Sequence, residues 1–443
     1  MATRVACDHR VKIKENNVDT LRRTGGILRA TMESVNLLDY DLFADHEPWE
    51  VFDVLQREAP VYRHPEPDGR GFWALTKYDD VLAVLRDTKT YSSELGGAAT
   101  IEDLPEDVLA ARRNFLEFDP PKHGRYRRLI SRQFTPPAVA RYEEWLRELV
   151  RYRLDNVLPL GEFDLVHELA APIPIRVLAH ILGLPEEILP HLIDLGDRLL
   201  VDTDPEYVGE HAFAGEREEY RYKPFGSPWA DELCAIGREF YADRRACPRD
   251  DVLSLIANGE IDGQPMSEQD LDNTFALLIV AGNETTRQAI SLGTLALAEH
   301  PEEYERLRAN RSLIPSATEE LLRFSSPVWF FRRTATCDVT VRDVDIAAGE
   351  KVIVWFAAGN RDPDHYPDPH RLDVARNPTD HLTFGRGGPH QCLGAHLARL
   401  ELRVYLEELV ERVERIELAG EPVRQRTNFT NGLKRLPVRV TLG

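Results

Sequence analysis

Residues 384–394 read Phe-Gly-Arg-Gly-Gly-Pro-His-Gln-Cys-Leu-Gly, and the rest of the chain is best read outward from them. The glycines let backbone approach a flat ligand closely and can aim amide N–H groups at a sulfur. Cys392 opens the last long amphipathic stretch, 392–413, where a helix dipole favours a thiolate. A cysteine so placed can be a metal ligand, a nucleophile or a buried thiol. Phe384 adds an aromatic face and His390 a cation. The other cysteines, Cys7, Cys234, Cys247 and Cys337, are scattered and form no CxxC pair. In a long chain that fits a reducing cytoplasm, not a disulfide framework. A zinc site on His390 and Cys392 finds no further ligands at zinc-finger spacing.

Upstream lies the longest helical pattern, Ser267–Glu299, with Ser267 and Asp270 forming a capping-box-like start. Such a helix would run roughly 50 Å and cross the whole molecule. Gly282 sits in its middle, followed by Asn283, Glu284, Thr285 and Thr286. A weakened polar turn there is a common way to open a groove at a functional site. Pro48–Glu58, Tyr78–Arg86, a stretch after Pro121 and Thr318–Phe324 also read as helices, and three more helical stretches lie between Pro136 and Leu200. Phe72–Thr76 and residues 333–356 read as strands, and 358–376 is a Pro/Asp-rich meander. Residues 202–230 are charged, weakly periodic and rich in Gly, Pro and aromatics, so they read as a surface loop or a lid over a pocket. The pattern is mainly α with a small β region, in one domain over 37–443.

Bulk properties narrow the function. The 443 residues carry a net charge of −20, which argues against a nucleic-acid partner. The longest apolar run, Phe275–Ala281, is far short of the ~18 residues a membrane span needs. Residues 1–36 read as a polar extension without the apolar core of a signal peptide; a globular pattern begins near Leu37, and Met32 is an alternative start. A cytoplasmic protein is expected.

Taken together, these segments resemble the cytochrome P-450 superfamily. The 384–394 segment resembles its cysteine-ligand loop. Ala281-Gly282-Asn283-Glu284-Thr285 resembles the oxygen-activation motif of the central helix, and Glu320-Leu-Leu-Arg323 its Glu-x-x-Arg motif. Pro369-His370-Arg371 resembles the partner arginine motif. His123 and Arg127 resemble an early pair that reaches haem propionates, and Arg333 a third propionate ligand. Any one motif is weak; five in order around a glycine-rich cysteine loop are a strong match. The commonest family loop is one residue shorter between Phe384 and Cys392. The longer form occurs in actinobacterial branches that oxidise sterols and branched lipids, and it leaves open which amides face the sulfur.

The resemblance implies a triangular helical prism holding haem b, with Cys392 as axial ligand. It implies Phe384, Ala281 and Gly282 against the cofactor, and Arg127, Arg333, His123 and His390 on its propionates. Thr285 and Glu284 would relay protons to O2, Glu284 linking to solvent. Glu320, Arg323 and Arg371 would form a buried ion network, with Glu319 left to an ordinary surface pair with Arg323. Residues 93–117, Leu277, Leu278, Val328, Trp329, Phe330, Phe331 and the Phe429-Thr430-Asn431 turn would line an apolar substrate pocket. The implied activity is insertion of one oxygen atom of O2 into a sterol, fatty acid, isoprenoid or natural-product intermediate. Electrons would come from NAD(P)H through a separate reductase and ferredoxin. Other readings are a peroxide-driven haem peroxygenase and a non-catalytic haem sensor.

Overall fold

The computed structural model describes residues 30–443 apart from 68, 213–216 and 378. In chain order, the elements that position the site begin with α1 (Trp49–Glu58), β1 (Val61–His64), β2 (Phe72–Leu75), α2 (Tyr78–Arg86), β3 (Tyr91–Ser92), α3 (Glu106–Arg112) and α4 (Lys122–Ile130). There follow α5 (Pro136–Ala140), α6 (Glu143–Val157), β4 (Glu162–Asp164), α7 (Pro172–Leu182), α8 (Leu189–Leu200) and α9 (Ala230–Ala246). The C-terminal half supplies α10 (Glu268–Glu299), α11 (Pro301–Ala309), α12 (Ile314–Ser325), β5 (Phe330–Ala335), β6 (Lys351–Trp355), α13 (Ala395–Arg412), β7 (Val413–Leu418) and β8 (Pro437–Leu442).

The helix α10 is the axis of the fold. Ser267 caps it by accepting from the Asp270 N–H, and its 32 residues run without a break. It is buried on nearly every side, and its buried polar residues, such as Glu284, Arg287 and Gln288, are paired. Helices α7, α8, α9, α12 and α13 pack against it. The expected weak turn at Gly282 is not a break. A Cβ there would stand 2.9 Å from Leu178 Cδ1, so the glycine is where α7 comes closest. Between 136 and 200 there are four α-helices, not three, because Pro172 and Pro174 fall in the first turn of α7, where a missing N–H costs nothing.

The strand-rich part is a five-stranded sheet in the order β1-β2-β6-β5-β3, with β6 parallel to β2 and antiparallel to β5. A second sheet has the order β7-β8-β4. Beside the first sheet an aromatic cluster joins Phe43, Phe52, Trp329 and Trp355. Val35 and Leu37 are buried, and the Leu37 N–H donates to His64 Nε2 at 2.9 Å. The rest of the expected extension, residues 1–29, lies outside the described residues. The described residues of 202–229 form short helical turns, one of which meets α3. The Tyr222 hydroxyl donates to Asp107 Oδ2 (2.7 Å), and Arg112 Nε to the Arg221 carbonyl (2.7 Å).

Candidate active site

Between the middle of α10 and the Cys392 loop lies a largely apolar cavity of about 230 Å³. It brings together Ala281, Gly282, Thr285, Leu277, Leu278, Val328 and Phe331 above, and Phe384, Gly385, Cys392 and the first turn of α13 below. The loop can lie this close because it lacks side chains. A Cβ on Gly388 would stand 2.1 Å from the Leu85 carbonyl, and Gly387 has φ +79°.

Cys392 stands just ahead of α13, not inside it, since the helix begins at Ala395 with Gly394 as its cap. The Cys392 N–H donates to the Phe384 carbonyl at 2.8 Å. Its side chain is exposed only in that it opens into the cavity; burial from bulk water pushes the thiol up. The Gly394 amide, Arg127 and Arg399 pull it back, so the longer loop aims the Gly394 N–H at the sulfur. Arg399 lies over the Phe384 ring (4.5 Å) and clamps Glu319 through Nε and Nη2 (2.7 and 3.0 Å). Glu319 therefore ties α12 to α13, and His381 joins it at 3.2 Å; it does not pair with Arg323.

Four basic side chains meet at one edge of the cavity. His123 and His390 stack with ring centroids 4.2 Å apart, and Arg127 and Arg333 line the same wall. Burial lowers all four: Arg333 to about 10, His123 to about 4 and His390 to about 3, with the neighbouring arginines pressing the histidines further. Arg333 is almost fully buried, yet among the described residues its side chain makes a single hydrogen bond, from Nη1 to the Arg332 carbonyl (2.7 Å). Arg333 Nε, His123 Nε2 and His390 Nδ1 have no partner among the described residues. The nearby Asp119 is engaged by Ser92 and the Ser93 amide. Two buried guanidinium groups without a carboxylate, beside histidines held neutral, are costly unless an anion completes the cluster. A thiolate donor, a flat glycine-walled slot and this cluster fit a haem with two propionates.

On α10, Thr285 lines the cavity and its hydroxyl donates to the Ala281 carbonyl (2.8 Å). Glu284 does not face it, because consecutive helical residues point about 100° apart. It turns away from the cavity and is buried, not linked to solvent. Its Oε1 accepts from Gln288 Nε2 (2.8 Å) and Gln425 Nε2 (2.6 Å), and it pairs with Arg287. Arg287 in turn grips Asp197 of α8 through both terminal nitrogens (3.0 and 2.7 Å). Sequence reasoning missed Arg287, Asp197 and Gln425. A Glu–Arg pair three residues apart in an otherwise buried helix was the available signal.

The ion network beneath the loop is centred on Glu320, whose oxygens accept from Arg323 Nε (2.7 Å) and Nη2 (2.8 Å). Its third member is Arg376, which donates from Nε at 3.1 Å, and not Arg371. The meander turns back after Arg371, leaving that side chain exposed while its carbonyl accepts from Arg376 Nη2. The expected pocket also contracts. In β5 successive side chains alternate, so Phe331 and Arg333 face the cavity while Phe330 faces the aromatic cluster. Trp329 packs on Phe43 and Trp49 (5.4 Å each), and Phe429 edges against Phe330 (5.4 Å), all outside the cavity wall. From 93–117, the residues that line it are Ala98, Phe115 and Leu116. Leu178 joins them from α7.

The family model described as Cytochrome P450 matches residues 230–441. The chain is 37% identical to linalool 8-monooxygenase of Pseudomonas putida, covering 92% of this chain and 99% of that protein. It is 37% identical to the methyl-branched lipid omega-hydroxylase of Mycobacterium tuberculosis, covering 88% and 90%. Among solved structures, a Mycobacterium marinum cytochrome P450 in complex with pseudoionone superposes with TM-score 0.84 at 34% identity, covering 94% of this chain and all of that one.

Proposed function

This chain belongs to the cytochrome P450 family, and from that premise we propose that it is a cytoplasmic haem-thiolate monooxygenase acting on a neutral isoprenoid or branched aliphatic molecule. Its electrons come from NAD(P)H through a separate reductase and ferredoxin. The observation that carries the reading is one slot with Cys392 on its floor and four basic groups at its edge, three of which keep a buried nitrogen without a partner among the described residues. When bound, haem supplies the centre at which O2 is reduced and cleaved. The protein does the rest. Cys392 would hold the haem iron through its sulfur, with the Gly394 N–H steadying charge on it. Arg127 and Arg333 would hold the propionates, with His123 and His390 beside them. The Thr285 hydroxyl, kept at the cavity by Ala281, donates or passes a proton there. Glu284 holds a proton path closed until it exchanges Gln288 or Gln425 for water.

The upper wall carries no charged side chain. Binding therefore draws on apolar burial, about 25 cal/mol per Å², and a free carboxylate over the iron would go unpaired. The linalool oxidiser and the pseudoionone-bound structure support an isoprenoid. No described helix is long and apolar enough to cross a membrane.

Reduced, haem-loaded protein treated with carbon monoxide should show the strongly red-displaced Soret band of a thiolate ligand. Cys392→Ser should lose that band while retaining pigment. An ordinary band in folded, loaded wild-type protein would end the reading. Thr285→Ala should leave substrate binding intact but send electrons to hydrogen peroxide. Product formed per NAD(P)H should fall by roughly tenfold or more, since positioned proton donors contribute ~10²–10⁴ in rate. Unchanged coupling would remove Thr285 from the proton path.

A further inference from the structure

Glu401 lies in the wall of the same cavity, about 9 Å along α13 from its start, and neither the family motifs nor the mechanism above uses it. It is almost fully buried (2% exposed), and Oε2 is wholly enclosed. Among the described residues neither of its oxygens has a hydrogen-bond or ion-pair partner. Its neighbours in the wall are Thr286 and Ala289 of α10 and Leu397 and Ala398 of its own helix, none of them charged.

The following charged groups on α13 and on the elements packed against it are paired elsewhere. Arg399 is held by Glu319, Arg403 by Glu143, and Glu408 by Arg147. Arg287 is held by Asp197, Arg306 by Glu303, and Arg323 by Glu320. Within the cavity, Arg127, Arg333, His123 and His390 form the cation cluster already described, and Cys392 is the axial donor. A carboxylate so placed, without a cation, would cost several kcal/mol, whereas the protonated acid is neutral. Burial alone drives its pKa up, to about 8.

We propose that Glu401 is a positioning residue held as a neutral carboxylic acid beside the haem slot, leaving Cys392 the single negative charge beneath the ring. Ionising it would add a second negative charge near the iron, favour the ferric state and make the one-electron reduction by the ferredoxin harder. Glu401 neither gains nor loses that electron. The sign for stability follows. The folded state keeps this proton to higher pH than an unfolded glutamate does, so the associated stability is full at low pH and is lost as pH rises toward about 8.

The inference rests on the haem-thiolate reading, so the test begins with samples that show the thiolate carbon monoxide band. Without that band, both the reading and this proposal fall. With it, the ferric–ferrous midpoint potential is followed by an electrode from about pH 6 to about pH 9 in wild type and Glu401→Gln, bracketing the ionisation. The wild-type potential should drop at the alkaline end and the variant's should not, while the two agree near neutrality. Infrared spectra should show a protonated-carboxyl band in neutral wild type that fades at high pH and is missing from E401Q. Coincident potential curves, or a wild type lacking that band at neutral pH, would overturn the proposal. If the variant does not load haem, the wild-type curve decides: an alkaline drop supports the proposal and a flat curve overturns it.

Discussion

Arg323→Met is expected to cost about 3–5 kcal/mol, the toll of stripping one partner from a buried ion pair. Against a typical ~5–15 kcal/mol for a whole fold, little haem-loaded protein should accumulate. Neither Arg323 nor Glu320 has measurable exposure. Besides Glu320, Arg323 donates to the Asn360 carbonyl (2.7 Å) and the Pro369 carbonyl (2.9 Å), and Glu320 also receives the Asp373 N–H (3.1 Å). Methionine fills the volume but strips Glu320 Oε2 of its donor, leaves Oε1 to Arg376 and the Asp373 N–H, and orphans two carbonyls. Denaturant unfolding of apo and loaded protein, with haem content, measures the loss. Arg376→Ala should follow in the same direction, and Arg371→Ala should stay within about 0.5 kcal/mol, as exposed sites do. Equal losses at 371 and 376 would contradict the assignment of the third member.

Arg287→Met should be the second most damaging change and Asp197→Asn a mild one. Two buried carboxylates, Asp197 and Glu284, share one guanidinium. Burial, with Glu284 nearby, pushes Asp197 up, and Arg287 opposes that push. Removing Arg287 strands both acids, at roughly 3–5 kcal/mol, whereas an amide at 197 removes the surplus acid and leaves Arg287 to Glu284. The pH profile carries the sign. Because the folded state holds the Asp197 proton above an unfolded aspartate's range, that contribution is full in acid and fades as pH rises. Asp197→Asn should therefore gain on wild type at the alkaline end of a stability–pH curve. Equal destabilisation by the two variants, at every pH, would rule out the shared-cation arrangement.

The cysteine loop, the central helix and the Glu-x-x-Arg pair were legible because local spacing dictates them. A capped 32-residue helix and an i,i+3 ion pair are properties of one segment. Arg371 and Arg376 could not be separated that way. Both lie in the meander, and which one reaches Glu320 depends on where the chain turns back. The same limit explains Trp329, Phe330 and Phe429. An aromatic run announces burial, but strand alternation decides which ring meets the cavity and which joins a separate cluster. Glu284 and Thr285 are adjacent in sequence and were read as facing one space, yet helical rotation gives Thr285 to the cavity and Glu284 to Arg287.

Two sets of contacts described earlier differ in kind. On the surface, the turn at Arg221 and Tyr222 is fastened to α3 by hydrogen bonds such as Tyr222 to Asp107, where water competes for both partners. Under its floor, enclosed charges at Glu320 and a guanidinium clamp at Glu319 hold the sulfur's support. Such surface bonds contribute ~1 kcal/mol each, and breaking the buried pair costs several times that. Thermal fluctuation can thus part the Arg221–Tyr222 turn from α3 many times for each disturbance of the buried ions that support the Cys392 loop.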